Sequence, residues 1–422
     1  MKKTLAMILA GGRVNELGVL TIYRPKSAVP FGGLYRVIDF PLSNLMHSGI
    51  SKVGILSQYR SSSLITHIGI GADWDLVGRQ RGVVMLPPFK GESDSDWYLG
   101  TADAVYQNLN YINDNNPDLV MILSGDHIYK MDYQSLIQYH LENEADLTAV
   151  FKQVPQEQAS RFGIAHFKQE DDRGGELSAY YEKPQNAESN WASLTIYLFN
   201  RNVLNEVLQQ NHLFGKSHHI GKGVIPQMLG NYRVFGFKFS GYWGYTQTIE
   251  EYWKTSMDII DLPDELALHD WGVRTNQAHR NIRDRVPTKI SDGGKIRQSV
   301  MYNGCMIEGE VEHSILFPGV RVEKGAVIRD SIVMFDTIIG AGSTIEQSII
   351  GSDVRIDKNV SIGCAEESEI DTLQDGNYEI TIVGEGTQIP ESTSIGKNCV
   401  INPHLKAKHF SNKHFRSGTI IK

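Results

Sequence analysis

Cysteine is scarce in this chain. Its 422 residues hold three, Cys305, Cys364 and Cys399, too few and too scattered for a disulfide framework or a thiolate zinc site. Long hydrophobic runs are missing too: no stretch approaches the ~18 apolar residues of a membrane span. The chain opens MKKTLAMILA, but the apolar run over residues 5–10 is shorter than the ~7–15 residues of a secretion signal, and no small-residue cleavage pattern follows. Nor is positive charge in excess. A net charge of −8 leaves no electrostatic footprint for nucleic acid or an anionic membrane. These deficits predict a soluble, cytoplasmic protein with no membrane and no nucleic-acid partner.

An apolar content of 41% and a charged content of 21% describe an ordinary globular chain. The length predicts more than one domain. Short apolar runs over residues 5–9, 53–56, 119–123, 147–151 and 193–198 read as buried strands. Helical patterns fall between several of them, over 102–113 and 132–143. Strands alternating with helices imply βαβ units and a mostly parallel, doubly wound sheet. Ligands of such sheets bind outside the carboxyl ends of the strands. Gly11–Gly12 and the Gly125–Asp126 pair each follow a strand candidate directly.

Near residue 291 the texture changes. Aliphatic residues stand at Val322, Ile328, Val333, Ile339, Ile345, Ile350, Ile356 and Ile362, five or six apart. The register resumes at Ile389, Ile395 and Ile401 after an irregular stretch over 364–378. A near-six-residue repeat predicts a parallel β-helix, each coil burying its aliphatic ladder on the next. The expected domains are therefore 1–265, a linker over 266–290, and 291–422.

Several stretches carry chemistry. A strand that ends in LAGG presents backbone N–H groups at a turn, a natural nest for phosphate, and RPKSAVPFGG adds the cations Arg24 and Lys26. In VMILSGDHIY, Asp126 stands at the tip of an apolar strand, where a carboxylate either holds Mg²⁺ shared with substrate phosphates or caps a helix. WYLGTADAV, YEKP and ASLTIYLF add polar groups that are individually ordinary.

Taken together and in order, LAGG, RPKSAVPFGGLYRVIDFPLSN, HIGIGADWDL, WYLGTADAVYQN, LSGDHIYKMDY, FGIAHF and YEKP resemble the ADP-glucose pyrophosphorylase (glucose-1-phosphate adenylyltransferase) family over nearly the whole chain. The resemblance implies an α/β fold, a Rossmann-like nucleotidyltransferase domain followed by a C-terminal left-handed parallel β-helix. It also implies ATP and glucose 1-phosphate as substrates, ADP-glucose and pyrophosphate as products, Mg²⁺ as cofactor, a role in glycogen synthesis, and an allosteric tetramer. Carried over by position, Leu9, Ala10, Gly11, Gly12, Gln58, Gly100, Thr101 and Asp103 face the nucleotide. Lys26 neutralises phosphate charge, Asp126 holds the metal, and Tyr98, Gly163, Glu182, Lys183 and Ser193 hold glucose 1-phosphate.

The chain also departs from the family's pattern. Where the family reads GGxGTRLxPLT, this chain has GGRVNELGVLT, with Val14 for a glycine, Asn15 for a threonine and Glu16 for the arginine. A charge reversal at ~4 Å and an effective dielectric of 20 is worth about 4 kcal/mol per pair, an upper bound for Glu16 because it can swing away or pair with Arg13. In YWGYTQTIEEYW, Tyr245 replaces an aspartate that serves as a metal ligand, and Gln247 replaces a glycine. His219 and Gly223 replace two aspartates, and Thr195 replaces a glycine. Three readings follow: an active adenylyltransferase; a catalytically weak regulatory subunit that binds nucleotide or effector beside a paralogous partner in a hetero-oligomer; or a related transferase of another specificity. An acyltransferase reading would rest on His313, which reads more simply as a surface residue of one coil.

Overall fold

A computed structural model describes residues 2–12, 15–88, 97–364 and 379–422. The chain gathers into two compact units, Met1–Gly12 with Phe40–Trp243, and Arg13–Asp39 with Gly244–Lys422. This division differs from a single boundary near 265, because an early segment containing Lys26 belongs with the carboxyl-terminal unit. Arg13, Val14 and most of the irregular stretch after Cys364 lie outside the described residues.

The first unit is built on nine strands: β1 (Thr4–Leu9), β2 (Lys52–Leu56), β3 (Gly82–Leu86), β4 (Leu119–Ser124), β5 (Leu147–Gln153), β6 (Gly163–Glu170), β7 (Gly174–Glu182), β8 (Trp191–Asn200) and β9 (Val234–Lys238). Their order across the sheet is β3-β2-β1-β4-β8-β5-β9-β7-β6. The first four run parallel. Their apolar runs are continuous rather than alternating, as strands covered on both faces require. Beyond them the sheet is mixed: β8 is antiparallel to both β4 and β5, β5 pairs β9 in parallel, and β7 is antiparallel to β9 and β6. The mostly parallel expectation therefore holds only for half the sheet. Hydrophobic alternation reports which face a residue takes and carries no information on chain direction.

The helical pattern over 102–113 forms two short helices, α1 (Thr101–Tyr106) and α2 (Leu109–Asn115). The pattern over 132–143 forms α3 (Tyr133–Glu142), which starts on Asp132, whose carboxylate accepts the Gln134 N–H at 2.9 Å.

In the second unit the repeat closes into a three-sided parallel β-helix, its strands stacked in three sheets and consistent with the left-handed type. Val322 pairs with Ile339 and Ile339 with Ile356, so one coil takes 17 residues. The other ladders run through Val311, Ile328, Ile345 and Ile362, and through Leu316, Val333 and Ile350. All of these are buried, and full burial of each aliphatic side chain is worth ~1.5–3 kcal/mol. One corner stacks His313, Asp330 and Gln347, all with φ near +40°, a region in which Asp and His are among the better tolerated residues. Helix α4 (Ile249–Asp261) opens on a capping box between Thr248 and Glu251, and its Trp253 Nε1 donates to the Asp330 carbonyl at 2.8 Å.

Candidate active site

The carboxyl ends of β1 and β4 stand side by side. Leu9 pairs with Ser124, and the Leu9 carbonyl accepts the Gly125 N–H at 2.9 Å. The turn over residues 10–12 and the carboxylate of Asp126 thus leave neighbouring strands at the same edge, as the switch of direction between strands and loops in an open α/β sheet requires. Ala10 donates its N–H to Leu56, and the Gly11 carbonyl accepts from Tyr59 at 3.3 Å. A Cβ on Gly11 would sit 2.9 Å from the Gln58 backbone nitrogen, whereas a Cβ on Gly12 would meet nothing within 4 Å. Gly11 is therefore required by its own protein backbone, and Gly12 is the position open to a ligand.

Asp126 does not cap a helix; that role falls to Asp132. The Asp126 Oδ1 accepts from the Ser124 hydroxyl and lies 3.5 Å from His127 Nε2, and its side chain is 26% exposed. Such an oriented, half-buried carboxylate suits one ligand of a cation that takes its others from substrate phosphate and water.

The WYLGTADAV stretch spends much of its polarity inside the protein. Gln58 Oε1 accepts the Tyr98 N–H at 2.9 Å. The Tyr98 phenol donates to the Leu86 carbonyl at 2.9 Å and accepts from Asn108 at 3.0 Å, and burial pushes its pKa up. Asp103 accepts from the Leu99 N–H and the Gln107 amide, both at 2.8 Å. The Thr101 hydroxyl accepts from the Ile220 N–H at 2.9 Å, and Gly100 packs on the His218 carbonyl. Tyr98, Thr101 and Asp103 hold the shape of the loop, and their side-chain oxygens are already bonded within the protein.

A second cluster forms where β6, β7 and β8 meet. Gly163 pairs with Glu182, and Ala192 pairs with Ile164. Because Ile196 pairs with Leu123 in antiparallel register, Ser193 lies at the carboxyl end of β4, the same edge as Asp126. The Tyr180 hydroxyl donates to Glu182 Oε2 at 3.0 Å, and Ser193 Oγ lies 3.4 Å from the Tyr197 hydroxyl. Lys183 turns the chain at φ +49°, its N–H bonded to the Phe162 carbonyl at 3.0 Å, its side chain exposed. Sequence reading missed Tyr180 and Tyr197. The signal was present for Tyr180, since residues two apart on a strand share a face and Glu182 was already singled out.

Thr195, standing where the family's glycine is expected, has φ +54° in the bulge of β8 between Ser193 and Tyr197. His219 precedes a π-turn over Ile220–Val224, and Gly223 lies inside it. In the second unit Lys26 is buried, its Nζ 3.3 Å from Gln247 Oε1 and 5.2 Å from the centroid of the Tyr245 ring. Gln247 is fixed in turn by its N–H on Glu251 at 3.0 Å. Glu16 is exposed.

Residues 5–261 match the family described as nucleotidyl transferase, and residues 285–383 match a GlmU-like C-terminal hexapeptide family. The fold and the strand-end loops thus define a nucleotidyltransferase. A glucose-1-phosphate adenylyltransferase of Acetivibrio thermocellus is 42% identical over 426 residues, covering 100% of this chain and 98% of its own length. Proteins of that name from a Thermotoga strain (42%, covering 100% of this chain and 99% of its own) and Bacillus thuringiensis (43%, covering 86% of this chain and 95% of its own) are similar too. The chain belongs to the glucose-1-phosphate adenylyltransferase family.

Proposed function

We propose that the chain joins ATP to glucose 1-phosphate, releasing pyrophosphate and forming ADP-glucose, in the cytoplasm and as a homo- or hetero-oligomer. Full-length identity to the curated adenylyltransferases supports the reaction. The observation that carries it to residues is the bond from Gly125 to Leu9, which sets the phosphate turn and Asp126 next to each other.

In this reading a phosphate oxygen of glucose 1-phosphate attacks the α-phosphorus of ATP in line. The new O–P bond forms as the bond to the bridging oxygen breaks, and pyrophosphate leaves with its electron pair. Backbone N–H groups of residues 10–12 receive the polyphosphate, with Gly12 leaving room for it. Asp126 holds Mg²⁺, which when bound offsets phosphate charge. The ammonium of Lys26 serves the same charge balance. Glu182, Lys183 and Ser193 hold the sugar phosphate. Positioning and charge carry a transfer of this kind, since it asks for no covalent intermediate on the protein.

The test is pyrophosphate release from ATP and glucose 1-phosphate with excess Mg²⁺, by this chain alone. Turnover abolished by Asp126→Ala supports the reading. No turnover from a folded chain that still binds nucleotide would overturn it.

A further inference from the structure

We propose that Tyr180 is a positioning residue that fixes the Glu182 carboxylate for the hydroxyls of the sugar, and so sets affinity and selectivity for the sugar phosphate. The proposal rests on the reading of Glu182 as part of the sugar site.

Glu182 ends β7 as an exposed residue. An exposed glutamate ordinarily samples many rotamers, and ordering one costs conformational entropy. Here one oxygen is tied down: the Tyr180 hydroxyl, itself buried, donates to Oε2 at 3.0 Å. The phenol is held from behind. Tyr180 and Tyr197 share Ser193 between them, and burial above all keeps both phenols protonated, with the neighbouring Tyr197 and then Glu182 adding to the rise at Tyr180 and Glu182 adding to it at Tyr197. Two glycines from separate elements make the space. A Cβ on Gly163 would overlap the Tyr180 hydroxyl, and a Cβ on Gly221 would overlap Glu182 Oε2 while lying 3.0 Å from the Tyr180 oxygen.

The tyrosine–glutamate pair therefore occupies a socket cut for it on both sides. Gly163 is accounted for by that socket without any ligand touching it. With Oε2 committed to Tyr180, one carboxylate oxygen with a fixed direction is left for a donor. A fixed acceptor discriminates between hydroxyl epimers, whereas a swinging one does not, because a buried or oriented polar group left unmatched is costly.

The test is steady-state kinetics of Tyr180→Phe, which keeps the ring and deletes only the hydroxyl. A hydrogen bond to a charged group is worth enough to predict a rise of about tenfold or more in KM for glucose 1-phosphate. kcat and KM for ATP should stay within about twofold, and the preference for glucose 1-phosphate over galactose 1-phosphate should narrow. Loss of binding shared by ground and transition states gives that split. The same rise should vanish in a Glu182→Ala background, where no side-chain oxygen is left for Tyr180 to position. An unchanged KM for the sugar phosphate, or equal rises for both substrates, would overturn the proposal. A lower melting temperature with intact sugar affinity would mean that Tyr180 is only packing, and would overturn it too. If the wild-type chain releases no pyrophosphate, calorimetric binding of glucose 1-phosphate to the two proteins decides the role of Tyr180 separately from catalysis.

Discussion

In the second unit the ammonium of Lys26 lies 5.2 Å from the centroid of the Tyr245 ring, with Gln247 Oε1 at 3.3 Å on it as well. The two positions that break the family's YWxDxGT-like motif thus meet at one buried cation. A ring face and an amide oxygen both attract an ammonium. Lys26→Met should lower kcat by about 10²-fold or more, the scale seen when one preorganised charge-stabilising donor is removed. Unchanged kcat beside a lower melting temperature would assign Lys26 to the scaffold.

Glu16 offers a second test. A reversed charge at contact distance would be worth several kcal/mol, but its side chain is exposed, and exposed pairs are worth ~0–1 kcal/mol. Glu16→Arg should therefore lower KM for ATP by no more than about fivefold, and the gain should fade as salt screens it at ~0.5 M. A gain of a hundredfold that persists in salt would show Glu16 pressed against the polyphosphate.

The glycine pair separates fold from ligand. Gly11→Ala pushes a Cβ to 2.9 Å from the Gln58 nitrogen and 3.2 Å from Ser57 Cα, both backbone atoms, so it should cost stability, ~1–3 kcal/mol, by overpacking. Among the described residues beyond its chain neighbours, a Cβ at Gly12 meets no atom within 4 Å. Gly12→Ala should leave the melting temperature unchanged and raise KM for ATP. If Gly12→Ala is silent in both readouts, the polyphosphate lies elsewhere.

Much of this was legible in the sequence, and the pattern of failures is physical. The β-helix was readable because its core repeats locally: Val322, Ile328 and Val333 each take their place on one of the three ladders. Strand ends were readable because Asp126 and Gly11–Gly12 follow apolar runs. Strand direction was not, since the reversal of β8 is fixed by pairing with β4 and β5, partners far away in the chain. Nor was it legible that Arg13–Asp39 joins the β-helix unit, a matter of long-range packing in which Tyr252 donates to the Pro30 carbonyl. Tyr98, Thr101 and Asp103 matched the family's motif by type, yet only coordinates reveal that their side chains bond within the protein.

His313 gives a pH dependence. Its Nδ1 lies 2.6 Å from Asp330 and its Nε2 2.8 Å from Asp261, so it bridges one coil of the β-helix to the end of α4. Burial alone would lower its pKa, but the two carboxylates outweigh burial and raise it above the ordinary 6.5. A raised folded-state pKa means stability fully present below the unfolded value and lost as pH rises through the folded value. The melting-temperature gap between wild type and His313→Asn, chosen because asparagine tolerates φ +43°, should be widest near pH 6 and shrink toward pH 9. Partial exposure keeps it to a few degrees at most. A gap independent of pH would mean that the imidazole bridges as a neutral group.

Thr195 carries strain that the sequence flagged only as an odd residue. Its φ of +54° puts a β-branched side chain in the left-handed region, where such residues are true outliers costing ~1–3 kcal/mol. The bulge holds it there, because β8 must shift register between Ser193 and Tyr197 to pair with β5. Thr195→Gly relieves the strain but adds freedom to the unfolded chain, which takes back ~0.4–1 kcal/mol. A net gain of up to ~1 kcal/mol, or a melting temperature ~2–4 °C higher, is expected. Thr195→Ala should gain less than the glycine, since alanine keeps a Cβ in the forbidden region. Should alanine stabilise as much as glycine, the strain would lie in the threonine's branching rather than in the backbone, and the bulge would tolerate any unbranched residue.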